Sequence, residues 1–241
     1  MNPLSGVLGE AWQMYRRYAA HLLLIAFVIY LAAAIVAAVL DLAGGAVGAL
    51  LAAIAELLAA FLLQAALVKA VQDVRDGTID LDLRGTLQAA LPYVGAVAIA
   101  SILAAIGIGI GLILIIVPGL ILLTFWSLLV PEIVIGGAGA IEAFGRSWRT
   151  VRGYAWNVFG TLVVVWIVMI LLEIVLSAVL LALPYGWRSF ISDLVSGALV
   201  APFLAAVVTL VYYRLTAAHG EQAEPAQPSA GYGPYDGGFP S

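Results

Sequence analysis

Apolar runs dominate this chain, and short polar intervals punctuate them. About 20 apolar residues in a helix cross a hydrocarbon layer of roughly 30 Å. On that measure the runs predict six spans, at about 21–40, 46–68, 91–116, 120–135, 156–183 and 190–213. The connections at alternate ends are unequal. On one side they are tight turns: Asp41 to Gly45, Val117-Pro118-Gly119 and Pro184-Tyr185-Gly186-Trp187. On the other they are longer and amphipathic. Leu8, Ala11, Trp12, Tyr15 and Ala19 share one helical face, with Glu10, Gln13, Arg16 and Arg17 on another, which predicts a helix lying in the headgroup layer. Between Ala140 and Arg152, Ile141, Phe144, Trp148 and Val151 form an apolar face opposite Glu142, Arg146 and Arg149, and Glu142 and Arg146 are spaced to pair one turn apart.

The interval from Lys69 to Gln88 carries Lys69, Asp73 and Arg75 and then Asp76-Gly77, a stop signal for the preceding helix. Ile79, Leu81 and Leu83 then alternate with Asp80, Asp82 and Arg84, which fits an extended surface segment and equally a short amphipathic helix from about Leu83. The unit of amphipathic helix, span, tight turn and returning span thus occurs three times, with Glu10-Ala11-Trp12 and Glu142-Ala143-Phe144 in corresponding places. The expected fold is all-α and integral to the membrane: six transmembrane helices as three hairpins, with cytoplasmic interfacial amphipathic helices.

Three details refine the spans. The fourth is short and carries Pro131 near its far end, where the ring and the missing N–H should kink it, and Gly136 to Gly139 reads as a hinge. Gly107, Gly109 and Gly111 fit close helix packing better than a phosphate cradle. Tyr185 with Trp187, and Tyr212 with Tyr213, suit the two aromatic belts.

Charge sets the direction. Nine of the ten basic residues (Arg16, Arg17, Lys69, Arg75, Arg84, Arg146, Arg149, Arg152 and Arg214) fall on the amphipathic side, and Arg188 alone falls on the other. The positive-inside rule then places both termini in the cytoplasm. A five-span arrangement with a re-entrant fourth run would put Arg146 to Arg152 outside and break that pattern. Arg16-Arg17 does not read as an export signal, because the run after it is too long and further spans follow.

With 64% hydrophobic and 10% charged residues among 241, the chain is excluded from the water-soluble class. The net charge of −4 is distributed and suggests no nucleic-acid partner, and the lack of cysteine excludes disulfides and thiolate chemistry. Residues 1–216 are expected to form the membrane domain. From 217 to 241 the Pro- and Gly-rich composition predicts a disordered tail.

Candidate chemistry is sparse. Glu56 and Glu173 lie nearest the middle of spans, where a charged carboxylate is penalised by roughly 3 kcal/mol. Either they form a proton or cation site, with Gln64 near Glu56, or they stay protonated and hydrogen-bond across helix interfaces. Glu132 is placed to reach the interface or pair with the arginine helix. His21 and His219 have no metal-ligand spacing, and no triad, nucleotide or metalloprotease motif occurs, so neither cofactor, metal nor catalysis is expected. Arg16, Arg17, Arg146, Arg149 and Arg152 are expected to contact anionic lipid headgroups, each worth about 1 kcal/mol.

Val117-Pro118-Gly119, Trp126-Ser127, Pro131, the run Glu142-Ala143-Phe144-Gly145-Arg146-Ser147-Trp148 and Val151-Arg152-Gly153 carry a resemblance. With Leu8 to Leu24 and Tyr212-Tyr213-Arg214-Leu215, they resemble the membrane domain of some glycerophosphoryl diester phosphodiesterases and its stand-alone YciC-like relatives. That group often has a glutamate before the hinge glycine, where this chain has Gly136. The resemblance implies a six-helix protein of the bacterial plasma membrane, without the phosphodiesterase domain or its activity. The expected role is a non-enzymatic scaffold or accessory factor engaging the lipid bilayer or an unidentified membrane or cytoplasmic protein. The alternative is a small transporter or lipid-handling protein using Glu56 or Glu173.

Overall fold

A computed structural model describes residues 3–42, 44–75, 77–179 and 185–223, and the side chains of most of 185–196 and of 221–223 fall outside it. The described residues form helices joined by short turns, with no strand among them. In chain order the helices are α1 (Val7–Arg17), α2 (Ala19–Leu42), α3 (Gly45–Val74), α4 (Leu83–Ala90), α5 (Val94–Leu114), α6 (Ile116–Phe125), α7 (Leu129–Val134), α8 (Ala140–Val151), α9 (Ala155–Val179) and α10 (Tyr185–Ala223), with one 3₁₀ turn at Leu91–Tyr93. Six stretches are long and apolar enough to cross a membrane. The chain is a multi-pass, all-α membrane protein. Helices are the natural solution, because each span satisfies its own backbone N–H and C=O groups where water is absent.

The order amphipathic helix, span, span repeats three times, as α1 with α2 and α3, α4 with α5 to α7, and α8 with α9 and α10. The interval before the second hairpin resolves in favour of a helix. Asp82 caps α4 by accepting from the Gly85 N–H at 2.7 Å, and Asp73 holds the non-helical residues before it by accepting from the N–H groups of Asp80 (3.2 Å) and Leu81 (3.0 Å).

A predicted turn and a predicted kink both move. The connection expected at Val117-Pro118-Gly119 is the single extended residue Ile115, and Pro118 sits in the first turn of α6, where its missing N–H leaves no helical bond unmade. The expected kink at Pro131 is absent for the same reason. The fourth span breaks earlier, across Trp126–Leu128, and Pro131 lies in the first turn of the new helix α7. Glycines allow the α5–α6 hairpin to close so tightly: a Cβ on Gly111 would stand 2.9 Å from Gly119 Cα, and one on Gly107 would stand 2.7 Å from the Trp126 ring. Gly109 meets nothing, so the expected close packing holds for two glycines of the three. In the last hairpin the expected turn Pro184-Tyr185-Gly186-Trp187 is already helical from Tyr185, five residues before the expected start of the span, and α10 continues through Ala223, past the expected boundary at 216. The rest of the expected tail lies outside the described residues, as do Asp76, Pro184 and the side chains of Tyr185 and Trp187.

The core surrounds the second half of α3, where Ala65, Ala66, Leu67, Val68, Ala70 and Val71 are buried against α2, α5, α7 and α10. Small residues there let four neighbours approach one helix. The first half of α3 packs on α2, and α9 is peripheral, with most of its surface outward. The longer connections gather at one end, called here the polar end. Arg75, just after α3, lies over the Tyr213 ring of α10, 3.8 Å from its centroid. The next residue, Arg214, ties α10 to the N-terminus, donating to the carbonyls of Ser5 (2.6 Å) and Pro3 (3.2 Å) and pairing with Glu10. Trp12 and Tyr15 meet Phe203 edge-on, so the apolar face of α1 rests on α10.

Gly111→Val should lower the thermal unfolding midpoint of the detergent-solubilised protein, corresponding to about 1–3 kcal/mol of strain, whereas Gly109→Ala should leave it unchanged.

Candidate intramembrane groove at a helix break

A break inside a span exposes backbone groups that lipid cannot satisfy. At Trp126–Leu128 a side chain from another element satisfies them. Ser147, fully buried on α8, donates its Oγ–H to the Phe125 carbonyl at 2.7 Å and accepts from the Leu128 N–H at 3.3 Å. Ser127 Oγ donates to the Thr124 carbonyl at 2.8 Å, and Thr124 Oγ1 donates to Leu120 at 2.8 Å. Two aromatic contacts fasten α8 over the break: Phe125 stacks on Trp148 with centroids 4.0 Å apart, and Trp126 meets Phe144 edge-on at 4.9 Å. The buried face of α8 is therefore Ala143, Ser147 and Val151, flanked by Phe144 and Trp148, while Ile141 points outward.

The hinge after α7 is tied down from the same helix. Its turn is closed by the Ala138 N–H donating to the Glu132 carbonyl at 3.0 Å, with Gly137 in the left-handed region at φ 66°. Arg146 donates to the Gly136 carbonyl at 2.9 Å and pairs with Glu142 at 2.8 Å. That hydrogen-bonded guanidinium, aided by the Gly139 N–H, holds the Glu142 carboxyl below the usual carboxylate range, so the pair is ionised at neutral pH. Glu132 reaches the arginine helix through Thr150, whose Oγ1–H donates to it at 2.7 Å; the carboxylate is 4% exposed and forms no ion pair with Arg146. A Cβ on Gly136 would lie 2.9 Å from the Tyr212 hydroxyl and 3.1 Å from Glu132 Oε2. Gly136 is thus required by space, and α10 closes on the hinge.

Next to the break lies a groove with two compartments. The inner one, about 280 Å³, is lined by Gln64 and Leu67 of α3, Ser127 in the break, Pro131 of α7 and Val208 of α10. The outer one, about 480 Å³, is lined by Trp166, Met169 and Glu173 of α9 with Gly197 and Val200 of α10. Tyr30 of α2 and Ala201 and Leu204 of α10 line both. Tyr30 can stand there because α10 has no side chain at Gly197, where a Cβ would be 2.8 Å from the phenol ring. Polar groups are few in a mostly apolar lining, and the outer compartment is bounded by the loosely packed α9.

Of the sequence candidates, Gln64 and Glu173 come together at this groove, one in each compartment. Glu56 does not join them. It lies two helical turns from Gln64 on the exposed half of α3. Arg146 serves the hinge, while Arg16, Arg17, Arg149 and Arg152 are exposed, and the ion pairs among the described residues involve only Arg146 and Arg214. Metal-ligating side chains form no cluster among the described residues. Sequence reading missed Ser147, Thr150 and Tyr30. A short hydroxyl on the buried flank of an amphipathic helix was the available signal for the first two.

A family model described as "Domain of unknown function (DUF7847)" matches residues 83–219. The chain belongs to this family. The DUF7847 region runs from α4 into α10 and so contains the break, the hinge and the bracing helix, while Tyr30 and Gln64 enter the groove from the hairpin before it. No curated protein and no solved structure matches the chain.

Ser147→Ala leaves the Phe125 carbonyl without a partner and should destabilise the protein by about 1–3 kcal/mol, read as an earlier denaturation midpoint, with faster hydrogen exchange at the Leu128 amide than at amides of α9.

Proposed function

We propose that this is a non-enzymatic protein of the bacterial plasma membrane that binds a membrane lipid, holding an acyl chain in the groove beside the α6–α7 break. The observation that carries the reading is the groove's character: two mostly apolar compartments that share Tyr30, Ala201 and Leu204, one of them bounded by α9, a helix with little packing of its own. Membrane proteins place irregular backbone at depth where it is buried or lines a cavity, and Ser127 of the break lines this one. Ion transport is less favoured, because the side chains of Glu173 and Gln64 line different compartments. Such a protein acts as an accessory factor, presenting or sequestering lipid for membrane or cytoplasmic partners. The proposed kinship with the YciC-like group is supported by the residues that carry the resemblance: Trp126-Ser127, Pro131 and the run from Glu142 to Trp148 build the break and its brace.

Both termini and the arginine-bearing face are proposed to be cytoplasmic. The exposed Arg16, Arg17, Arg84, Arg149 and Arg152 on the amphipathic helices or just after them support this, since each is free to meet anionic headgroups.

Ala201→Trp fills the space between the compartments. Native mass spectrometry of protein extracted in mild detergent should find lipid on the wild type and most of it gone from the variant; equal lipid on both would overturn the reading. Orientation is tested with single cysteines in this cysteine-free chain. A cysteine at Arg149 should react with an impermeant maleimide in inverted vesicles and stay unlabelled in intact spheroplasts.

A further inference from the structure

We propose that the corner where α8 turns into α9 binds one anionic phospholipid, with its phosphate on Arg149 and Arg152 and an acyl chain in a groove between α6 and α9. The site is separate from the groove beside the break. Three observations carry it.

The first is an apolar groove that ends at a basic corner. About 250 Å³ of space lies between Leu120, Ile121 and Phe125 of α6 and Ala155, Trp156 and Phe159 of α9. Thr124 also lines it, but its hydroxyl is turned to the Leu120 carbonyl, so the walls stay apolar. Trp156 is 86% exposed and stands edge-on to Phe159 with most of its ring outward, as an indole at the headgroup level does. Arg152 precedes Ala155 by three residues and follows Trp148 by four, one turn along the same side of α8. Trp148 in turn stacks on Phe125, so the groove and the arginine share a wall.

The second is positive charge without a counterpart. Arg149 and Arg152 are exposed and form no ion pair among the described residues. Glu142, two turns before Arg149, pairs with Arg146, and Glu132 is buried and takes the Thr150 hydroxyl. From Ala143 through Leu172 the sequence has no acidic residue, and α6 has none. A soluble anion would leave the groove unfilled, and a neutral lipid would leave both guanidinium groups to water. An anionic phospholipid joins a phosphate to an apolar chain and so satisfies both halves of the corner.

The third is that the chain builds this corner twice. Arg16-Arg17-Tyr18-Ala19-Ala20 parallels Arg152-Gly153-Tyr154-Ala155-Trp156, and in each the span helix starts at the alanine after the tyrosine. Arg16 and Arg17 are exposed as well, and Ala20 lines an apolar groove in which Leu23 and Phe27 of α2 face Ala198 and Leu199 of α10. The second unit keeps Tyr93 before α5 but has no arginine there. Arginine above an apolar groove thus recurs at equivalent places in the first and third units, against different neighbours. At the α8–α9 corner the lipid has a structural consequence: its chain joins the peripheral α9 to Phe125, at the edge of the break that α8 braces.

The test uses the full chain in phosphatidylcholine nanodiscs containing a minor share of phosphatidylglycerol with a photoactivatable group on its acyl chain. Peptide mapping should place adducts on residues 117–125 and 155–159, about tenfold above those from the same group carried on phosphatidylcholine. The double variant Arg149→Gln/Arg152→Gln should lower phosphatidylglycerol labelling to the phosphatidylcholine level. Arg149→Lys/Arg152→Lys, which keeps the charge, should retain most of the preference. Ala155→Trp, which fills the head of the groove, should remove labelling by both lipids there. Ala201→Trp, in the other groove, should change none of it. Equal labelling by the two lipids, or a preference that survives the double glutamine variant, overturns the proposal. So does labelling unchanged by Ala155→Trp, which would mark headgroup attraction without a chain site, or labelling lost in Ala201→Trp, which would trace the adducts to the groove beside the break.

Discussion

The constraint on which this structure turns is the demand that every backbone polar group inside a bilayer find a partner. Most of the chain meets it with continuous helix, but the fourth span stops at Phe125 and restarts at Leu129. One hydroxyl, that of Ser147, answers both the carbonyl left by the first piece and the N–H presented by the second. Because Ser147 belongs to α8, a helix that lies outside the six spans becomes part of the interior. The same helix sends Arg146 to the hinge carbonyl and Thr150 to the buried Glu132, so the break, the hinge and the brace form one unit.

Length and polarity made the architecture legible. A run such as 156–183 has few other readings, and the amphipathic faces of α1 and α8 follow from residue spacing alone. What escaped was the end of each helix near proline. Pro118 and Pro131 were read as breakers of the helices they actually begin, because a proline tolerated in a first turn and one that kinks an interior look alike until the N-terminus is known. Ser147 was hidden for a different reason. An apolar-face reading centred α8 on Ile141 and Trp148, whereas its deepest contact is polar and its partners lie about 20 residues upstream. The groove was half visible. Gln64 and Glu173 stand out as polar groups in apolar runs, but only tertiary packing sets them in compartments that share Tyr30 and leaves Glu56 elsewhere.

The family match and the groove do not share boundaries. Residues 83–219 supply the break and most of one wall, while α2 and α3 supply Tyr30 and Gln64. The first hairpin is therefore more than an additional anchor for the region 83–219. Its second half is the core, its first half stands clear of the bundle, and the change from one regime to the other falls near Ala60 of a single helix.

The contact of Arg214 with the carbonyls of Pro3 and Ser5 has a consequence in time. These groups lie 211 and 209 residues apart. During synthesis the N-terminal helix emerges first, and the residue that fastens it emerges only after the last span has been made. Until then α1 has neither Arg214 for its carboxylate nor Phe203 for its aromatic rings. The first and second hairpins can pack on each other through α3, α5 and α7 before then, but the fastening of α1 at the polar end comes late in assembly rather than at its start.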